Sequence, residues 1–161
     1  MKKKNFTAKL LELKPPVLIW AGLALSVVVG GLGEYFSWGR IPWTPFSNVL
    51  GGLVWVSGWL FHRYCHQFHS QAHERAIKIQ TIVTTGPFAR IRHPMYLSLI
   101  LMDGGLTLAW GIGWMLVPFL LFLGFIIVIL IQEENLLLQT AGPQYRNYMR
   151  QVRWRLVPGI F

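Results

Sequence analysis

Charged residues are scarce in this sequence of 161 residues: they make up 13% of the chain, and only 6 are acidic against 15 lysines and arginines. With 53% hydrophobic residues and a mean hydropathy of +0.44, the chain is too apolar for a soluble domain and too short for more than one compact unit. We therefore expect a single membrane-embedded domain over residues 1–161.

Cysteine is almost absent as well. The single cysteine, Cys65, excludes an intramolecular disulfide and a zinc site built from thiolates. A net charge of +9 would suit nucleic acid, but no RNA- or DNA-binding motif accompanies it, so we expect no nucleic-acid partner. We expect the basic residues to meet anionic lipid headgroups instead. Nothing in the sequence points to a particular oligomeric state.

Three long apolar runs are present, at residues 15–33, 41–61 and 94–132, and Asp103 is the only charge inside them. The first two are near the roughly 20 residues that cross a hydrocarbon core. The third would be about 60 Å long as one helix, so it must fold back. Residues 110–114 (WGIGW) supply glycines for a turn between two interfacial tryptophans. The pattern predicts an all-α bundle of four transmembrane helices.

The basic residues predict the orientation of this bundle. They cluster before the first run, after the second and after the third, whereas the opposite side has only Arg40 beside Glu34. The three clusters are Lys2, Lys3, Lys4, Lys9 and Lys14; Arg63, Arg75, Lys78, Arg90 and Arg92; and Arg146, Arg150, Arg153 and Arg155. We therefore expect both termini and the 63–93 loop in the cytoplasm, without a cleaved signal peptide. We expect a multi-pass membrane protein, located in the inner membrane if the source is a prokaryote and in the endoplasmic reticulum if it is a eukaryote.

Predicted helices 3 and 4 form a hairpin whose open end carries ionisable residues. Helix 3 begins near Pro94 and helix 4 ends near Gln132, so Arg92-His93 and Glu133-Glu134 should meet at the cytoplasmic membrane surface. Pro94 suits the first helical turn and should hold His93 in an extended conformation just outside it. On spacing alone, these residues fit interfacial helix caps and a chemical site equally well.

Several blocks in the second half of the chain resemble a known family. They are Thr84-Thr85-Gly86-Pro87-Phe88, Arg92-His93-Pro94-Met95-Tyr96-Leu97, Glu133-Glu134 with Leu136 and Leu137, Gly142-Pro143-Gln144-Tyr145-Arg146-Asn147-Tyr148, and Pro158. In this order they resemble the integral membrane methyltransferases, the group of isoprenylcysteine carboxyl methyltransferase and the phospholipid N-methyltransferases. The resemblance covers about residues 80–158, and the first two predicted helices carry no such signature.

The resemblance implies a site for S-adenosylmethionine at the cytoplasmic ends of helices 3 and 4. An amphipathic C-terminal segment would close this site, and a lipidic or isoprenoid acceptor would enter from the bilayer. The residue chemistry agrees, since a carboxylate can accept hydrogen bonds from a ribose diol and aromatic side chains can stack on adenine. The cofactor-binding residues implied are His93, Pro94, Tyr96, Glu134, Leu137, Tyr145 and Tyr148.

Arg92 and Glu133 are the candidate catalytic residues. Arg92 is suited to fixing a carboxylate on the cofactor or on the acceptor. Glu133 would act as a base only if the acceptor arrives protonated, as an amine or a thiol does. The acceptor stays open between an isoprenylcysteine-like carboxylate, a phospholipid amine and a hydrophobic thiol. There are three departures from the family pattern: Ser98 in place of glycine, Ala141 in place of phenylalanine, and no arginine at residues 126–131, where many members carry one. These departures bear on how the acceptor is anchored.

Asp103 is the unusual residue inside predicted helix 3, about 13 Å from its start and close to the membrane midplane. It could be protonated or hydrogen-bonded to a neighbouring helix across the close approach that Gly104 and Gly105 allow. The functional interpretation is a substrate-binding contact to the acceptor.

Four histidines follow the second apolar run on one helix face: His62, His66, His69 and His73. One helix face usually offers a metal only two ligands, so we expect no metal site. Two other functions compete with methyl transfer. One is an NADPH-dependent membrane reductase related to sterol reductases, and the other is a non-enzymatic protein that binds metal or headgroups through these histidines.

The chain ends in a basic, aromatic tail that contains Arg150, Arg153, Trp154 and Arg155. We expect this tail to lie on the membrane surface, because its charges suit lipid headgroups. The alternative is that one of its arginines closes over the cofactor.

Overall fold

A computed structural model describes residues 15–68 and 82–161, with the side chains of residues 15–20 excepted. Over these residues the chain forms helices and no strand, which confirms the all-α prediction. The helices are α1 (Pro15–Tyr35), α2 (Phe46–Phe68), α3 (Pro94–Trp110), α4 (Leu116–Thr140) and α5 (Gly142–Gln151). Two short 3-10 helices, Gly86–Ala89 and Gly113–Met115, precede α3 and α4.

The predicted reversal at residues 110–114 is confirmed. Helix α3 ends at Trp110 and is capped by Gly111, which has a φ of 75° that glycine adopts without steric cost. The loop between α1 and α2 covers this turn: the N–H of Gly113 donates to the carbonyl of Gly39 at 2.9 Å, and that of Ile41 to Gly111 at 2.7 Å. Backbone hydrogen bonds thus hold this turn against the loop between α1 and α2.

The four long helices run alternately up and down. The last part of α1 reaches the turn between α3 and α4, since a Cβ on Gly33 would touch Ile112. Helix α2 begins at the same end, where Asn48 lies next to Gly111. The opposite end of the bundle therefore collects the end of α2, the start of α3 and the end of α4.

Helices α2 and α3 are in backbone contact along a line that we call the glycine seam, formed by Gly51, Gly58 and Gly105. A Cβ on Gly51 would collide with the backbone of Ala109, and one on Gly105 with the backbone of Trp55. The predicted close approach at Gly105 is therefore present. No side chain could be added at these positions without separating the two helices.

The outer faces of the helices are apolar. Exposed large hydrophobic residues include Leu25, Val28 and Leu32 on α1, Val49, Leu53, Val56 and Leu60 on α2, and Leu116, Leu120, Leu121 and Val128 on α4. Buried residues include polar ones, namely Ser26, Ser98, Asp103 and Thr107. This arrangement of apolar surface and polar interior suits lipid rather than water as the surrounding solvent.

Within the part of the chain that the structure describes, one helical stretch is long and apolar enough to cross a membrane by length and composition. It is Gly113–Thr140, with a mean hydropathy of 2.9 in its most apolar window. A shorter apolar helical stretch covers Ala21–Tyr35.

Helix α4 is longer than the sequence suggested. It continues to Thr140, so the prediction that it ends near Gln132 is wrong. The added turns are held by packing, because Leu137 is buried against Tyr145 and Tyr148. Residues 133 and 134 consequently lie within the helix.

Candidate functional site

The segment before α3 places His93 at the start of that helix. Pro94 occupies the first turn and His93 is the N-cap residue, as predicted. His93 is not extended, however, because its ψ is 57°. Its N–H donates to the carbonyl of Arg155 at 2.9 Å, and its carbonyl accepts from Leu97 at 3.2 Å. The C-terminal tail therefore helps set the conformation of His93, which the sequence did not indicate.

Glu134 is the centre of a group of ionisable side chains that we call the ion cluster: Arg92, His93, Glu134 and Arg155. The buried carboxylate of Glu134 accepts from His93 Nε2 at 3.1 Å on Oε1 and from Arg155 Nε at 2.9 Å on Oε2. Arg92 Nε lies 2.9 Å from Oε1, as an ion pair without hydrogen-bond alignment. The helix hairpin thus brings Arg92 and His93 to Glu134, as predicted.

Glu133 has a different environment from its neighbour. It is partly exposed, and its Oε2 accepts a hydrogen bond from the hydroxyl of Tyr96 at 2.6 Å. The ring of Tyr96 also lies 5.7 Å from the ring of His93, between centroids. Among the described residues, no arginine pairs with Glu133. The site therefore holds one carboxylate bound to cationic partners and one bound to a neutral phenol.

Helix α5 adds two tyrosines to the site. Tyr145 and Tyr148 are buried against Leu137, and the hydroxyl of Tyr148 donates to the carbonyl of Phe88 at 2.7 Å. The hydroxyl of Tyr145 is buried and has no hydrogen-bond partner among the described residues. Burial raises the pKa of Tyr145, and the nearby negative charge of Glu134 raises it further. Tyr145 is therefore a neutral donor near the ion cluster, with no acceptor in the part of the chain that the structure describes.

Arg155 is a site residue that the sequence did not single out. The sequence left open the alternative that one arginine of the tail closes over the cofactor. The tail was expected to lie on the membrane surface, but the side chain of Arg155 turns inward to Glu134, so that expectation is wrong for this residue. The backbone fixes its position, since the N–H of Arg92 donates to the carbonyl of Trp154 at 2.8 Å, next to the bond from His93 to Arg155. The only signal for it in the sequence was the run of arginines after Tyr148.

Asp103 lies apart from the ion cluster. It is nine residues beyond Pro94 on α3, about 13 Å along the helix axis. Its carboxylate is fully buried and lies beside the side chain of Ser26 on α1, which is also buried. The structure does not bring Asp103 to the other candidate site residues.

His62 and His66 form a hydrogen-bonded pair at the end of α2, while His69 and His73 lie outside the described residues. Ser98 donates to the carbonyl of Met95 at 2.6 Å, so His62 Nδ1 is the donor in its 2.8 Å contact with Ser98 Oγ. The Nε2 atoms of the two histidines are 3.2 Å apart. Within residues 15–68 and 82–161, no three metal-ligating side chains gather.

A cavity of about 360 Å³ lies at the other end of the bundle. Its lining includes Ile112 and the ion pair between Arg40 and Glu34, whose nitrogen and oxygens are 2.9 and 3.0 Å apart. Both charges there are exposed and already satisfied by each other. This cavity is at the opposite end from Glu134 and adds nothing to the ion cluster.

Comparison with known families bears on the whole site. A family model for phospholipid methyltransferases matches residues 47–142. The match includes α2, where the sequence seemed to carry no family signature, and it contains Arg92, His93, Glu133 and Glu134. No curated protein and no solved structure matches the chain. Because the matched segment is more than half of the 161 residues and carries both sides of the helix hairpin, the chain belongs to the phospholipid methyltransferase family.

Proposed function

We propose that this protein transfers a methyl group from S-adenosylmethionine to a hydrophobic acceptor dissolved in the membrane. Membership of the family supports methyl transfer to a lipid. The observation that carries the cofactor assignment is the hydroxyl of Tyr145, buried near Glu134 and Arg92 without a partner among the described residues. A buried donor left unpaired beside a carboxylate is expected where a polar ligand binds.

The residues present fit this cofactor. Glu134 has lone pairs for ribose hydroxyls, and Tyr145 has a donor for a nitrogen or oxygen of the ligand. The rings of His93 and Tyr96, 5.7 Å apart, offer faces for an adenine. When bound, S-adenosylmethionine supplies an electrophilic methyl group on a sulfonium.

The two neighbouring carboxylates would have separate tasks. Glu134 is committed to Arg92, His93 and Arg155, so it holds and orients ligand groups rather than moving a proton. Glu133 is the better base, because it is partly exposed and its one hydrogen bond among the described residues comes from the hydroxyl of Tyr96. It would accept the proton of an acceptor amine or thiol, and a carboxylate acceptor would need no base. Alignment in a site closed to water supplies the rest of the catalysis.

Of the three candidate acceptors, family membership favours a phospholipid amine over the isoprenylcysteine-like carboxylate and the hydrophobic thiol. The apolar outer faces of α1, α2 and α4 allow such a molecule to approach from lipid. We propose that the four long helices all cross the membrane, with both termini and the ion cluster on the cytoplasmic side. The basic residues around the cluster would then face anionic headgroups.

The test uses the purified protein in lipid nanodiscs. Calorimetry should show binding of S-adenosylmethionine and none of NADPH. Incubation of the enzyme with methyl-labelled cofactor and lipids extracted from native membranes should then place the label in one lipid class, identified by mass spectrometry. Binding of NADPH without binding of S-adenosylmethionine would replace this proposal by the reductase.

A further inference from the structure

Arg155 differs from the other members of the ion cluster in its exposure. Its side chain is 32% exposed, whereas those of Arg92 and Glu134 are 6% and 4% exposed. An anion that approaches the cluster from solvent therefore meets Arg155 first. The guanidinium also lies 5.0 Å from the ring centroid of Phe161, which supports its flat face.

Two arginines share one carboxylate in this cluster. Arg92 is buried and depends on Glu134, because a buried cation without a counter-ion is costly. Arg155 can give up Glu134 at little cost, because water reaches its side chain. Of the two, Arg155 is the arginine that is free to change partners.

Among the described residues, the guanidinium of Arg155 makes one hydrogen bond, from Nε to Glu134, although it carries five N–H groups. The backbone of Arg155 is held by the N–H of His93 and by its own N–H, which donates to the carbonyl of Phe161 at 3.0 Å. A change of partner therefore requires only a rotation of the side chain.

We propose that Arg155 binds the carboxylate of the methyl donor, and that this exchange releases Oε2 of Glu134 for the ribose hydroxyls. The inference rests on the proposed function, which names the donor. Oε1 of Glu134 is contacted by both His93 Nε2 and Arg92 Nε, whereas Oε2 is contacted by Arg155 Nε. Oε2 is therefore the oxygen that becomes available to ribose hydroxyls when Arg155 leaves, and the incoming carboxylate provides Arg155 with a new partner of the same kind.

The experiment compares two ligands on three proteins. The ligands are S-adenosylmethionine and its decarboxylated analogue, the same molecule without the carboxylate. The proteins are the wild type, Arg155→Gln and the control Arg153→Gln, which changes an exposed arginine outside the cluster. Affinities are measured by calorimetry in nanodiscs, and thermal unfolding is recorded for each protein.

We expect the wild type and Arg153→Gln to prefer S-adenosylmethionine over the analogue by about tenfold or more, and Arg155→Gln to bind the two alike. The analogue should bind Arg155→Gln at least as tightly as the wild type, because nothing then competes for Glu134. Partial loss of folded protein affects both ligands equally, so the ratio remains informative. If Arg155→Gln keeps the wild-type preference, the exchange is refuted while the proposed function stands. If the wild type binds neither ligand, the proposed function fails and this inference fails with it.

Discussion

The imidazole of His93 and the carboxylate of Glu134 are 41 residues apart in sequence and 3.1 Å apart in space, between Nε2 and Oε1. If this contact belongs to the cofactor site, His93→Ala and Glu134→Ala should each weaken binding of S-adenosylmethionine. Loss of a charge-assisted hydrogen bond costs about 1.5 to 3 kcal/mol, or about tenfold to a hundredfold in Kd. Calorimetry measures the Kd of each variant. Thermal unfolding is recorded as well, because Glu134→Ala leaves the buried Arg92 without its counter-ion and should destabilise the protein.

The control for this prediction is Glu34→Ala. Glu34 is an exposed carboxylate that pairs with Arg40 at the far end of the bundle, so its loss should leave cofactor binding unchanged. Wild-type affinity in both His93→Ala and Glu134→Ala would show that the cofactor binds elsewhere.

Arg92→Lys should impair turnover although it keeps the charge. Lysine has no planar fork and no nitrogen at the Nε position that lies 2.9 Å from Glu134. We expect kcat/KM to fall by about tenfold, which corresponds to about 1.4 kcal/mol. The matched control is Arg90→Lys, since Arg90 is exposed and outside the ion cluster. Equal activities of the two variants in the labelled methyl-transfer assay would remove Arg92 from the catalytic site.

Adjacent glycines on α2 should respond oppositely to the same substitution. Gly51→Ala places a methyl group against the backbone of Ala109 and should destabilise the fold by about 1 to 3 kcal/mol or more. Gly52 has nothing within 4 Å of an added Cβ, so Gly52→Ala should be neutral or stabilise the helix by about 0.5 to 1 kcal/mol. Thermal unfolding in one detergent compares them, and a stable Gly51→Ala would contradict the helix contact described above.

The histidines after α2 should be dispensable for methyl transfer. Joint replacement of His62, His66, His69 and His73 by Gln, or treatment with a chelator, should leave the activity in place. The hydrogen bond from His62 to Ser98 would be lost, with a cost of about 1 kcal/mol in the free energy of unfolding. The prediction fails if chelation abolishes methyl transfer and one particular metal restores it.

Acceptors without an apolar tail should be poor substrates. Each buried CH₂ contributes about 0.8 kcal/mol, so a tail of ten carbons would dominate the binding of a lipid that enters between helices. The assay uses labelled S-adenosylmethionine with paired acceptors that share a headgroup and differ only in the tail. Equal kcat/KM values for the two members of a pair would favour a small soluble substrate.

The parts of this site that the sequence predicted are those that depend on helix length. Counting apolar residues on each side of the turn at Gly111 is enough to bring His93 to Glu134, because the rise per residue of a helix is constant. The end of α4 was misplaced because the change from apolar to polar residues after Ile131 was taken for the end of the helix. The helix instead continues beyond this change, and its added turns pack Leu137 against α5.

The contact between Arg155 and Glu134 could not be predicted in the same way. It depends on a tail without helical or strand periodicity, positioned by single backbone bonds to Arg92 and His93. A run of arginines near a membrane has an adequate explanation in lipid headgroups, so its sequence gives no reason to single out one of them. Only the folded path of residues 152–161 shows which arginine turns inward.

The glycine seam limits how the range of acceptors could change during evolution or engineering. Backbone faces backbone across it, so α2 and α3 form a wall that side-chain changes can hardly move. Helix α1 is different, because its Gly22 and Gly30 face side chains, the rings of Phe122 and Trp110, rather than backbone. Room for a bulkier acceptor is therefore easiest to create beside α1. Variants selected for new acceptors should gather their substitutions there and leave the seam unchanged.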